Sequence, residues 1–320
     1  MKYKGAVLPS VGHIVNRINY YAEPFSKKEN IPLWRIYIDF AFSFLMTGCG
    51  AMDYFLYDFY FLNSAGKRQF MTVKQRFAFD YKHNSEAGIE TLLDKEKTLK
   101  LFEKYIERDW CGCEFHNKKA DYESFLKKHN KGIIKPQRGM GGVGVKIVDL
   151  RSYTPKQLYK ECKKENAIIE EIVVQHSKMN SMYAGAVNTI RILTVRGVLI
   201  GAALRIGAGG GNVDNAHAGG IFTEIDLHTG VIICDAMNHK GEKFVLHPDT
   251  KTVIPGFRIP CWNECVELVK ETSKLVPEIT LIGWDIAISE TGPTIIEVNH
   301  MPGLELVQAP AKHGIRKMIR

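Results

Sequence analysis

Two apolar runs near the end of the chain limit its fold more than any other stretch. Gly283-Trp284-Asp285-Ile286-Ala287-Ile288 is followed by Ser289-Glu290-Thr291-Gly292-Pro293, then by Thr294-Ile295-Ile296-Glu297-Val298-Asn299. Short apolar runs bounded by a Gly-Pro turn read as a strand hairpin. Residues two apart on a strand share a face, so Glu297 and Asn299 project together while Ile296 and Val298 turn the other way. Pairing of the two runs brings Asp285 to the same place. Asp, Glu and Asn oxygens, with water and phosphate, are the ligand set of a nucleotide-bound Mg²⁺. A surface hairpin with solvated acids is the plainer alternative.

The 320 residues are enough for a large core and two or three subdomains. The +8 net charge suits anionic ligands. The lysine pairs Lys118-Lys119, Lys127-Lys128 and Lys163-Lys164 belong to helix faces and turns without interleaved aromatics, so no nucleic-acid partner is expected. Seven cysteines without zinc-type spacing suggest reduced thiols in a cytoplasmic protein. Met1 to Val15 lacks a signal-peptide pattern. Ile36 to Met46 is too short to span a membrane and contains Asp39, which predicts an amphipathic or buried helix.

Three regions follow from the pattern. Residues 1–90 read as helical and aromatic-rich, with Asp53 to Leu62 carrying aromatics better suited to a core than to a stacking surface. A substrate cap or an interface in a homo-oligomer is the other use for such a region. Residues 91–174 contain a helix opened by Asp94, a helix over Tyr122 to Lys128, short β runs, and a Thr154-Pro155 helix start. Residues 175–320 add hairpins around Arg196-Gly197 and Thr229-Gly230, an amphipathic helix over Trp262 to Leu275, and the closing strands. This is an α+β pattern rich in hairpins, with no βαβ repeat.

The second informative stretch is Lys135-Pro136-Gln137-Arg138-Gly139-Met140-Gly141-Gly142-Val143-Gly144. Its glycines fit G-x-G-x-x-G, but a β run follows where a dinucleotide fold needs a helix. It lacks the Lys-Ser/Thr of a P-loop, and its lysine lies upstream, unlike a protein kinase's. A hairpin whose bare amides approach phosphates remains, with Lys135 reaching in from its base. A plain flexible turn would not need so many glycines.

Together these pieces resemble the ATP-grasp superfamily over roughly residues 91 to 310. Lys95 and Lys135 look like its two nucleotide-binding lysines. Arg138, Gly139, Gly141 and Gly142 look like its phosphate-covering loop, and Glu170, Glu171 and Val173 like the hinge that reads adenine. Asp285, Glu297 and Asn299, followed by Pro302-Gly303, look like its metal ligands. Gln175-His176, Val187-Asn188-Thr189-Ile190-Arg191, Asp214-Asn215-x-His217-x-Gly219-Gly220 and Leu304-Glu305-Leu306 are similar to the sugar-transfer-associated branch. The fold so implied is two α+β subdomains gripping ATP, preceded by the helical N-terminal region. Gly283-Trp284 stands where related ligases carry an arginine, so Arg191 or Arg205 has to supply that charge. No acid is placed for the ribose, and Gln175 or His176 is its substitute.

The resemblance implies an ATP-dependent carboxylate–amine ligase acting through an acyl phosphate, with ATP and two Mg²⁺ ions. Arg191 and Arg205 would hold the carboxylate, and His217 would take a proton from the amine. Asn188, Asp214, Asn215, Gly219 and Gly220 would line the substrate site. The partners implied are a small carboxylate and amine, sugar-linked, in polysaccharide or cell-envelope synthesis. The alternatives are a phosphotransferase and a non-catalytic nucleotide-binding partner of a glycosyltransferase.

Overall fold

The structure, a computed structural model, describes residues 11–139, 141–210 and 219–319. Strands β1 (Trp110–Cys111), β2 (Lys131–Pro136), β3 (Lys146–Asp149) and β4 (Ala167–Glu171) form one sheet in the order β1-β4-β2-β3. A second sheet contains β5 (Thr189–Val195), β6 (Val198–Ile206), β7 (Ile221–Ile225), β8 (Ala236–Met237), β9 (Lys243–Phe244), β10 (Leu281–Ile288) and β11 (Pro293–Asn299). Its order is β11-β10-β5-β6-β7-β8-β9, and every strand pairing in both sheets is antiparallel.

Local chemistry sets several element boundaries. The Asp94 carboxylate accepts from the amides of Glu96 and Lys97 at 3.1 and 3.2 Å, capping the helix Lys95–Leu101. Thr154 and Gln157 form a capping box on the helix Pro155–Glu165, whose proline lies in the first turn where no donor is missed. Arg196 and Gly197 both have positive φ, 50° and 78°, which matches the twist of the two-residue turn joining β5 to β6. The expected return strand over Val231 to Cys234 is reduced to isolated bridges, among them Ile225 with Ile232. The Ile232 backbone is bonded instead to Phe257 and Gly256.

Both faces of the seven-stranded sheet are covered. On one, Ile190, Ile192, Leu204, Trp284 and Ile286 share a core with Leu99 and with Val269 of the helix Trp262–Ser273. On the other, Leu193, Val195, Ala203 and Leu281 share a core with the N-terminal region. The aromatic run lies there: Tyr54, Tyr57 and Phe59 are buried, and Tyr57 stacks on Phe70 at 4.8 Å. The side chain of Gln308 ties the two parts together. It accepts from the Met71 amide at 2.9 Å and donates to the Met71 carbonyl and the Tyr57 hydroxyl, each at 3.0 Å.

The Ile36 to Met46 run lies within a helix, Leu33–Thr47, ended by Gly48 at φ 69°. Its Asp39 is the counter-ion of buried Lys67, with both carboxylate oxygens 2.6 Å from the ammonium. No helix among the described residues is long and apolar enough to cross a membrane. The seven cysteines are free thiols.

Candidate active site

An open cleft of about 740 Å³ lies between the two sheets and the N-terminal helices. Its floor is a cross-strand ladder. Glu297 of β11 stands opposite Asp285 of β10, and Asp285 stands opposite Arg191 of β5. Directly opposed residues of antiparallel strands share a face, so these three side chains form a row. Asn299 stands opposite Gly283, one step along the same face, and Arg205 of β6 lies diagonal to Arg191.

The Asp285 carboxylate is buried and fully engaged. One oxygen accepts from Arg191 Nε at 2.5 Å. The other accepts from Arg191 Nη2 at 2.8 Å, Arg205 Nη1 at 3.1 Å and Asn299 Nδ2 at 3.3 Å. Four donors thus converge on this carboxylate, three of them on one oxygen. Burial raises its pKa, but the two guanidiniums outweigh this and hold it below the ordinary value. Gly283 makes the pairing possible. A Cβ there would lie 2.5 Å from Pro302 Cβ and 3.1 Å from Arg191 Cδ, so the arginine occupies the space a side chain would fill. A guanidinium from the adjacent strand therefore lies beside Asp285.

Glu297 is different. Burial and the neighbouring Asp285 push its pKa up, and Lys95, 4.0 Å away, only partly opposes them. Its register explains its aim. Asp285 pairs with Glu297 but Ile286 pairs with Ile295, so Ile296 is an extra residue in a β-bulge. The bulge also corrects the expected orientation of Ile296, which lines the cleft instead of turning away with buried Val298.

The opposite wall is cationic. Lys95 donates to the Gly139 carbonyl at 2.7 Å, and burial lowers its pKa. Lys135 lies 3.0 Å from Glu170. Gly139, Gly141 and Gly142 line the cleft. Gly141, Gly142 and Gly144 have φ of 72°, 77° and 78°, so the glycines are needed for the backbone itself.

Glu170 is buried between Lys135 and Arg108, whose Nε lies 2.7 Å from it. Burial raises its pKa, and the two cations bring it down to about 2. Arg108 also donates to the Ile295 carbonyl of β11, so it links the two sheets. The acid expected to read adenine is thus the counter-ion of Lys135 and Arg108. Glu171 accepts instead from the Asp109 amide at 2.9 Å.

Other expected residues lie elsewhere. Gln175 is buried, donating to Asn180 and the Tyr183 carbonyl and accepting from the Asn188 amide. Asn188 is buried and donates to the carbonyls of Met179 and Tyr183. Both brace the segment 175–188 and leave no group for a ribose or substrate. Arg138 pairs with Glu90 at 2.7 Å on the surface. Val173 does not line the cleft, and neither do Gly219 and Gly220, which lead into β7. Asp214, Asn215 and His217 lie outside the described residues.

The structure adds residues from distant parts of the chain. Arg17, Met52, Val73 and Arg76 bring the N-terminal helices to the cleft. His239 and buried Glu305, 3.7 Å apart, face it from the far side. The sequence signal for Glu305 is its place after Pro302-Gly303. For Arg108 there is none, since its partners are 62 and 187 residues away.

Two antiparallel sheets thus enclose a cleft with lysines and a glycine loop on one wall and acids on the other. The chain belongs to the sugar-transfer associated ATP-grasp family, whose model matches residues 74–320. None of the curated proteins is significantly similar in sequence. Solved structures resemble it distantly. D-alanine–D-alanine ligase from Bacillus anthracis is 14% identical over 74% of this chain and 66% of its own, with a TM-score of 0.41. The ATP-grasp ligase PsnB, with a phosphomimetic precursor, Mg and ADP, is 12% identical over 77% of this chain and 64% of its own, at 0.45. The D-cycloserine synthetase DcsG is 13% identical over 68% and 65%, at 0.38. The chain spans less than two thirds of the length of each of these neighbours.

Proposed function

We propose that the protein is an ATP-dependent ligase that joins a carboxylate to an amine through an acyl phosphate. The observation that carries this reading is the opposition of two cationic half-sites across one cleft. Lys95, Lys135 and the glycine loop form one, Arg191 and Arg205 the other, with Glu297 between them. The first suits a triphosphate and the second an acid. Residues 91–174 and 175–320 act as the two jaws, and residues 11–90 wall the cleft.

A carboxylate oxygen of the bound acid attacks the γ-phosphorus of ATP, forming acyl phosphate and releasing ADP. The amine nitrogen then attacks the acyl carbon, phosphate leaves, and the nitrogen loses a proton. Neither step needs a nucleophile from the protein, so positioning and preorganised charge supply the acceleration. Lys95 and Lys135 hold the phosphates in line. Arg205, less buried than Arg191, turns from Asp285 to the acid and to the developing acyl phosphate. The His239–Glu305 pair, which lines the same cleft, takes the amine's proton in this reading.

The donor set fits Mg²⁺ in part. Asn299 spends its amide nitrogen on Asp285, which leaves its oxygen, and Glu297 faces the cleft. These two, with phosphate oxygens, match the ion's habit of taking one or two carboxylates. Asp285 joins them only by releasing an arginine. When bound, Mg²⁺ would neutralise charge on the triphosphate. The family description supports a sugar-linked acid or amine.

The test is to incubate the protein with Mg-ATP and panels of carboxylic acids, with and without amines and amino sugars. ADP and phosphate release that requires the amine is expected. A stable phosphorylated acid or alcohol formed equally without amine would replace this reading with a phosphotransferase.

A further inference from the structure

We propose that an apolar groove beside the cleft holds the hydrocarbon chain of an amphiphilic acid, whose head reaches the catalytic arginines. The proposal rests on the ligase reading and specifies the class of its substrate. The groove has a volume of about 910 Å³ and lies between the helices Val11–Glu29 and Leu33–Thr47. Ile18, Phe40, Ala41, Phe44, Leu45 and Met52 are among its lining residues. Phe44 is 47% exposed and Leu45 82%, so one helix leaves large apolar side chains in water beside an apolar trough.

Three observations choose the occupant. Arg17, Met52 and Val73 line both the groove and the cleft, so the two spaces open into each other. A chain lying in the groove therefore points its head toward the catalytic floor. At the seam Arg17 is exposed and its side chain has no hydrogen bond or ion pair among the described residues, and Arg76 follows on the cleft side. The head that passes them is an anion, as a carboxylate is. The helix face is also bordered by cations, Arg35 over the Trp34 ring and Lys74 over the Phe44 ring. A second copy of this face would set like charges against each other, which disfavours self-association there.

The test is calorimetric titration of the full chain with straight-chain carboxylates from hexanoate to tetradecanoate, below their micellar concentrations. Affinity is expected to rise about fourfold for each added methylene until the groove is full. Ala41→Trp, which fills the groove, and Phe44→Glu, which charges it, should flatten that rise. Ile38→Glu, on an exposed apolar residue outside the groove, should leave it intact. Affinity independent of chain length, or an unchanged rise in both groove variants, overturns the proposal. So does flotation with anionic lipid vesicles that Ile38→Glu and Phe44→Glu weaken equally, because that marks a membrane-docking face. Mg-ATP titrated separately keeps the two readings apart. Chain-length dependence without ATP binding retains the groove and removes the ligase, and ATP binding without chain-length dependence does the reverse.

Discussion

Asp285 and Glu297 stand opposite each other on adjacent strands, yet their environments assign them different work. Asp285 pairs with two guanidiniums inside the protein. Asp285→Ala leaves the buried Arg191 without its partner, and breaking such a pair costs about 3–5 kcal/mol. The variant is expected to lose both turnover and thermal stability. Glu297→Gln removes a charge that the fold already disfavours, so turnover should fall by at least about a hundredfold while the melting temperature holds or rises. Equal stability losses in the two variants would contradict this division. Asp80 gives a second expectation. It is buried without a hydrogen bond to either oxygen, and burial pushes its pKa from 3.8 to about 7. Between roughly pH 4 and 7 the unfolded chain has released this proton and the folded chain has not. Stability should therefore fall with rising pH by up to about 1.4 kcal/mol per unit. Asp80→Asn should remove that slope from unfolding curves measured across the range.

At the scale of elements, two glycines separate backbone freedom from space. Gly142 has φ 77°, and a Cβ added there would meet no atom within 4 Å. Gly142→Val therefore strains the loop by roughly 1–2 kcal/mol and places a side chain where phosphates approach. A raised KM for ATP with little change in melting temperature is expected. Gly283→Ala has ordinary strand backbone but collides with Pro302 and Arg191, so it should lower stability and turnover together. Such elements were legible in different degrees. The Asp94 cap, the Thr154-Pro155 start and the Arg196-Gly197 turn depend on residues next to one another, and their chemistry is written locally. The bracing by Gln175 and Asn188 and the link through Arg108 depend on distant partners. A polar residue in a motif reads the same whether it faces a ligand or a carbonyl, and this is why Gln175 looks like a ribose contact until its partners are seen.

For the whole molecule, the N-terminal region is half of a core. The α+β class and the order of lysine, glycine loop and closing acids were readable because each lies within a short segment. That residues 11–90 complete one face of the seven-stranded sheet was not, since aromatic density alone does not name a partner. Deletion of residues 1–90 would uncover Leu193, Val195, Ala203 and Leu281 and strip Gln308 of its partners Met71 and Tyr57. The shortened chain is expected to be insoluble, as judged by its recovery in the pellet after expression, even though most of the family match lies downstream. A soluble, nucleotide-binding fragment 91–320 would show that the region is an accessory.

The bulge at Ile296 sets the parity of the last strand. Before it the odd-numbered Ile295 faces the core, and after it the odd-numbered Glu297 faces the cleft. Strict alternation would put both on one side. The strand can therefore lose one residue at one place without changing what any other residue faces. Removing one isoleucine of the Ile295-Ile296 pair straightens the pairing and keeps Glu297 beside Asp285. Removing Val298 instead turns Asn299 into the apolar core and carries His300 into its place. A single-residue deletion scan from Thr294 to Asn299 should find folded protein for the isoleucine deletion alone. The numbering of this strand, odd or even, is thus as much a part of the site as the acids it carries.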